Sequence, residues 1–198
     1  MGRSHITPIK QPDDTTCGPS ALKLALEILV KRKSLETLTA LCKTNRNGTS
    51  TKNLIAAINA LGLSVLAVEY ATLTHLQRAL IYPPNTPRAV LVSYLYDLDE
   101  HKEPHPDSGH WAVVSGYSSR DSRIILLDSA SGKKKSYAWK EFRERWMDFD
   151  LKRKKIKKGR KEFKLVRRWQ EQLLLVIATD EKDLPAFKIQ TAKRFIPQ

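Results

Sequence analysis

Apolar positions along the first sixty residues recur at helical spacing. In "CGPSALKLALEIL" they fall at Leu22, Ala25, Leu26 and Leu29, one stripe that predicts a helix starting at Cys17–Pro19. Thr15 or Thr16 can cap it, and Pro19 suits the first turn, where a missing N–H costs nothing. "KRK" at Lys31–Lys33 then supplies cations suited to the negative end of its dipole. A short helix is expected over Leu35–Cys42. Another, over Thr51–Gly62, ends at a glycine able to take a left-handed cap. After Gly62 the period changes. "SVLAVEY" (Ser64–Tyr70), "RAVLVSYL" (Arg88–Leu95), "HWAVVSGY" (His110–Tyr117) and "RIILLDS" (Arg123–Ser129) read as strands, the last two joined as a hairpin by "SSRD". "LTHLQRAL" (Leu73–Leu80) reads as a short helix, and "PPNTP" (Pro83–Pro87) as a turn. Asp97–Gly109 is a polar loop. Trp139, Phe142 and Trp146 suggest a helix within Ser136–Phe149, and "LLLVIAT" (Leu173–Thr179) a buried strand. Helices followed by strands on short turns predict an α+β fold, an N-terminal helical layer packed on an antiparallel sheet.

Length and composition narrow this further. A chain of 198 residues, 41% hydrophobic, can bury a core without staples. We expect one principal domain over 1–150, a basic insertion or arm over 151–170, the final strand of the same domain over 171–179, and a weakly patterned tail over 180–198. Two cysteines, Cys17 and Cys42, form neither a disulfide framework nor a CxxC zinc pair. With no apolar leader and no apolar run long enough to span a bilayer, a cytoplasmic protein is the expectation. The charge of +14 is uneven. Residues 1–120 hold 13 Lys+Arg against 10 Asp+Glu, and residues 121–198 hold 22 against 11. Most of the excess lies in "LKRKKIKKGRKEFKLVRR" (Leu151–Arg168), read as a solvated helix or hairpin arm, or as a surface (Lys152–Arg168) for an acidic partner or nucleic acid. Its few aromatics argue against base stacking.

The candidate chemistry begins at Cys17. A cysteine near a helix start is often a small buried hydrophobe, as Cys42 is expected to be on its stripe with Leu38 and Leu41. A helix N-terminus also favours a thiolate, and its free N–H groups can hold an oxyanion. Gly18 leaves room for a substrate, and Gln11 carries an amide that can be a second oxyanion donor. A thiolate nucleophile needs a base and an orienting acceptor. His110 opens one strand of the hairpin and Asp128 ends the other, so an antiparallel pairing sets them side by side. Whether Cys17 lies near either does not follow from the pattern. His101, His105 and His110 with the neighbouring acids match no standard zinc spacing, so no metal or other cofactor is assigned, and the acidic loop is read as bordering the cleft. Trp111 is read as core or cleft wall.

"Q-x5-C-G" at Gln11–Gly18, "GHWAVVSGY" at Gly109–Tyr117 and "IILLDSASG" at Ile124–Gly132 together resemble the C39-type, papain-like cysteine peptidases, the peptidase domains carried by bacteriocin-exporting ABC transporters. The resemblance covers about residues 5–150 and the strand at Leu173–Thr179. It implies a papain-like fold, with Cys17 as nucleophile, His110 as general base and acid, Asp128 as orienting carboxylate and Gln11 as oxyanion donor. It also implies attack on a peptide or isopeptide carbonyl through a thioacyl-enzyme, with a peptide or protein as substrate. Two departures stand out. Ser129 occupies the place where the family commonly has proline, and no transporter is attached, so the exporters' double-glycine substrate does not carry over to a free-standing protein. Other readings of the same residues are an acyl transferase or deamidase, and a binding module without catalysis that uses the basic arm.

Overall fold

The computed structural model describes residues 6–81, 84, 86–156 and 163–197. Its centre is a seven-stranded antiparallel sheet in the order β5-β4-β3-β2-β8-β1-β9. In chain order the strands are β1 (Ser64–Val68), β2 (Arg88–Leu95), β3 (Gly109–Ser118), β4 (Arg123–Asp128), β5 (Lys133–Ala138), β8 (Leu174–Ala178) and β9 (Ala192–Phe195). A separate two-stranded ribbon pairs β6 (Met147–Lys155) with β7 (Phe163–Glu171). The helices are α1 (Cys17–Ile28), α2 (Leu35–Leu41), α3 (Thr51–Ala60), α4 (Leu73–Ile81) and α5 (Trp139–Arg145).

Both faces of the sheet are covered, which explains the unbroken apolar runs in its central strands. All eight residues of β2 and all five of β8 are buried. Leu91, Val113, Leu175 and Ile177 point into a core shared with Leu22 and Leu26 of α1 and Leu54 and Ile58 of α3. Their alternates, Val90, Val92, Val114 and Val176, meet Leu76 of α4, Phe142 of α5 and Trp146. Nine of the twelve residues of α1 are buried, so this helix is locked against β3 and its N-terminus is held in place by the core.

Three expectations change. The helix read over Ser136–Phe149 is confined to α5. Residues up to Ala138 pair with β4 instead (Tyr137 opposite Ile124), and from Met147 the chain enters the ribbon. The aromatic spacing was genuine for Phe142 and Trp146, both fully buried, but their burial needs only two turns of helix. The weakly patterned tail adds β9 to the sheet edge against β1, fastened by the Asn59 amide donating to Phe195 O at 3.0 Å. Neither Thr15 nor Thr16 caps α1: Thr16 stands at the cap position without a side-chain cap bond, and its hydroxyl donates to Asp13 O. The basic segment, as far as it is described, is a hairpin ribbon. Residues 157–162 lie outside the described residues, as do Pro83 and Asn85 of the turn expected at Pro83–Pro87.

Candidate active site

Sheet register brings His110 and Asp128 together. Val113 on β3 is opposite Leu127 on β4, so one further step sets Asp128 across from Ala112. His110 shares Ala112's face and becomes Asp128's diagonal neighbour. The imidazole Nε2 and Asp128 Oδ1 are 2.8 Å apart, and both residues are buried. Because the carboxylate only accepts, the ring donates that bond. The other ring nitrogen is the one left free of Asp128, and Cys17 acts on the ring as well, raising its pKa. The imidazole and carboxylate thus form a measured pair at the start of β3 and the end of β4, and the thiol at the start of α1 is close enough to act on the imidazole.

Burial alone lowers the pKa of His110. The hydrogen bonds and charges of Asp128 and Cys17 overcome it and push the ring up to about 9. Burial likewise opposes ionisation of Asp128, but the bonds from His110 and from Ser131 hold its carboxyl far below the usual carboxylate range. Its other donors are Tyr96 Oη (3.3 Å), the Ser131 hydroxyl, and the backbone N–H groups of Ser131 (3.0 Å) and Ala130 (3.3 Å). Lys135 Nζ lies 3.8 Å from Asp128 Oδ2 and 3.5 Å above the Tyr96 ring, closing the outer side. Tyr96 also packs on His110, ring centroids 4.9 Å apart. Cys42, by contrast, is enclosed in the core, and burial pushes its thiol up to about 12.

Gln11 is tied to the far side of this group. Its N–H donates to Ser129 O, and its Oε1 accepts from the Ser129 hydroxyl, each at 2.8 Å. Ser129, where the resembling family commonly has proline, thus fixes the orientation of the Gln11 amide. One amide hydrogen goes to Asp13 O at 2.8 Å, which leaves the second unassigned.

Cys17 lines a cleft of about 770 Å³. One wall is the loop Asn45–Thr51, the other is the ribbon, and Trp111 and Gly109 line the base between them. Trp111 is held by donating from Nε1 to Thr49 O at 3.1 Å. The ribbon is anchored to α3, whose first N–H (Thr51) donates to Asp150 Oδ1 at 3.0 Å, while the Thr51 hydroxyl donates to Gln170 Oε1 at 2.7 Å. Among the described residues no cluster of three or more His, Cys, Asp or Glu could hold a metal ion.

The glycine after Cys17 is required by packing. A Cβ on Gly18 would stand 2.7 Å from Thr49 Cβ and 2.9 Å from its hydroxyl. Thr49 cannot yield easily, since its hydroxyl bonds Thr44 at 2.7 Å and its carbonyl holds Trp111. Gly18→Ala is therefore expected to destabilise the fold by about 1–3 kcal/mol, the usual cost of overpacking, measured by chemical denaturation.

Asp148 was not legible in the sequence, because only the folding of the ribbon brings it to the cleft. Its carboxyl rests on Gly109, so close that a Cβ at that position would overlap it, and the Phe149 N–H donates to it at 2.7 Å. Burial pushes this carboxyl up to about 7, with the charge of Asp150 acting in the same direction. A raised carboxyl pKa favours the folded state while the group is protonated, and that advantage fades as pH rises from about 4 towards 7. Asp148→Asn keeps the Phe149 bond and removes the titration. It is expected to match the parent near pH 4 and to exceed it by roughly 1–2 kcal/mol above pH 8, read from denaturation midpoints across pH.

Residues 4–151 match the model of the Peptidase_C39 like family. No curated protein sequence matches the chain significantly. Among solved structures, it is similar to the peptidase domain of Streptococcus ComA, a bi-functional ABC transporter involved in quorum sensing. That match has a TM-score of 0.63 and 19% identity, over 89% of this chain and all of the other. The ComA peptidase domain of Streptococcus mutans matches with a TM-score of 0.51 and 18% identity, over 87% and 98% of the two chains. A double-glycine-motif protease from an AMS/PCAT transporter, solved with its leader peptide, matches with a TM-score of 0.53 and 19% identity, over 73% and 88%. The fold is thus that of C39 peptidase domains, a papain-like arrangement of helices on an antiparallel sheet. No helix among the described residues is long and apolar enough to cross a membrane. With the family model covering most of its length, the chain belongs to the Peptidase_C39 like family.

Proposed function

We propose that the protein is a cysteine peptidase-like hydrolase that cleaves peptide or isopeptide bonds. The observation that carries this reading is the buried His110, hydrogen-bonded to Asp128 and raised in pKa by Cys17 as well as by Asp128. Cys17, as thiolate, attacks the substrate carbonyl, and His110 then delivers its proton to the leaving amine. Asp128 holds the ring in the tautomer and orientation that both steps need. Charge developing on the carbonyl oxygen is met at the uncapped start of α1 and by the remaining N–H of the Gln11 amide. Water, activated by His110, then releases the acyl group. The AMS/PCAT protease was solved with its leader peptide, and Cys17 lines a cleft of about 770 Å³, which supports a peptide substrate.

The test is product analysis by mass spectrometry. A degenerate peptide pool is incubated with the protein and with Cys17→Ala, with and without an added amine such as hydroxylamine. Cleaved products that gain water, shift to the amine adduct when amine is present, and vanish in the variant are expected. Amine adducts without any hydrolytic product would assign acyl transfer instead, and no product at all would overturn the reading.

A further inference from the structure

The ribbon is the part of the molecule that the chemistry leaves unused. Among the described residues its two strands pair only with each other and not with the central sheet. Cross-strand register pairs Phe149 with Trp169, Leu151 with Arg167 and Arg153 with Leu165, and Phe163 alternates with Leu165, so these residues share one face. That face alternates apolar and cationic groups and is open to solvent: Leu165 is 61% exposed, Phe163 49% and Leu151 39%. It is continuous with the site, because Leu151, Arg153 and Leu165 line the same cleft as Cys17.

Its charge is one-sided. The acids of the ribbon lie at its base, where Asp150 is engaged by Thr51 and Asp148 packs on Gly109. Outward from Leu151 the charged residues in the described part of both strands are all cationic. Arg167 is committed to Asp107 and stacks over Phe149, and Arg168 is committed to Glu69. Arg153 has no acidic partner among the described residues, and across the cleft Arg46 has none either. Two exposed cations, Arg153 and Arg46, thus line the same cleft as the exposed Leu151 and Leu165 and the candidate nucleophile Cys17.

Resting on the peptidase reading above, we infer that the ribbon is a substrate-binding arm that receives an acidic, apolar-alternating segment of the polypeptide next to the bond attacked at Cys17. An extended segment lays every second side chain on the ribbon, so apolar residues cover Leu151 and Leu165 while interspersed carboxylates meet Arg153 and Arg46. A nucleic acid would use the same cations but leave the leucines uncovered.

Fluorescence anisotropy of the full chain carrying Cys17→Ala tests this. The probes are an alternating Glu–Leu dodecapeptide, its Gln–Leu counterpart and a dT12 oligonucleotide. The Glu–Leu peptide is expected to bind best, to weaken as salt is raised, and to lose about tenfold in affinity in Arg153→Glu and in Leu165→Glu, as expected for truncating a binding contact. In chains that retain Cys17, the rate of Cys17 alkylation by iodoacetamide is expected to stay within about twofold of the parent, since neither substitution touches the thiol. That rate reports the thiol site separately from the arm. Normal alkylation with no peptide binding overturns the arm and leaves the peptidase reading standing. Preference for dT12, equal binding of the Gln–Leu peptide, affinity unchanged by either substitution, or a loss of alkylation that parallels the loss of binding also overturns it.

Discussion

Replacing Cys17 with alanine is expected to leave the fold intact and to lower turnover by roughly 10⁴-fold or more, the scale on which loss of a nucleophile acts. The two halves of this expectation have separate causes. Cys17 is 6% exposed and packs at the very start of α1, where alanine is a better helix former and removes a single heavy atom. The remaining residues of α1 keep their contacts with β2 and β3, so the unfolding midpoint should move little. Chemically nothing replaces the sulfur: Cys42 is sealed in the core with its thiol pushed up to about 12, and no described hydroxyl bonds His110. Peptide turnover and a denaturation curve on the same preparation check both halves. Substantial residual turnover would mean that the bond is attacked by something other than Cys17.

The second large effect is expected at Asp128. Asparagine there keeps the shape but presents an amide to a pocket built of donors: His110, Tyr96, the Ser131 hydroxyl and two backbone N–H groups. Either the NH₂ confronts one of those donors or His110 turns to its other tautomer, and the rate should fall by about 10²–10⁴. The pH dependence follows from the same contacts. The pKa of His110 is raised to about 9 in the folded chain, so its contribution to stability is full below about 6.5 and is lost as pH climbs through about 9. Asp128 is depressed, so its contribution is present above the ordinary carboxylate value and is lost as pH falls through its low folded value. Asp128→Asn removes the second contribution and the Asp128 share of the first, so the curve of unfolding free energy against pH should flatten at its acid end and, in part, at its alkaline end. A variant with a lowered rate but an unchanged pH curve would show that Asp128 and His110 do not act as a pair.

The parts of this molecule that sequence patterning reads well are those where one physical demand dominates. The strands β2 and β8 are buried on both faces, and uninterrupted apolar residues are the direct result. The stripe of α1 is equally plain. His110 and Asp128 could be set beside each other because a hairpin obliges the start of one strand to lie near the end of the next. What the pattern conceals depends on distant parts of the chain. Trp146 keeps helical spacing with Phe142, yet it stands just past the end of α5, with its indole N–H donating to Leu173 O. The Asp148 carboxyl reaches Gly109 only because the ribbon folds back over the cleft. Thr49 wedges against Gly18 from a loop with no periodicity at all. Ser129, read as a departure from the resembling family, anchors the Gln11 amide, a contact that spans 118 positions.

The most direct measurement is the pH dependence of alkylation at the two cysteines, followed by peptide mass spectrometry in the native chain and in His110→Ala. Cys17 should be labelled by iodoacetamide near neutral pH, at a rate that falls by about tenfold or more when the imidazole is removed. Cys42 should remain unlabelled until the chain is unfolded. Labelling of Cys17 that is no faster than a free thiol and unaffected by His110→Ala would contradict the account.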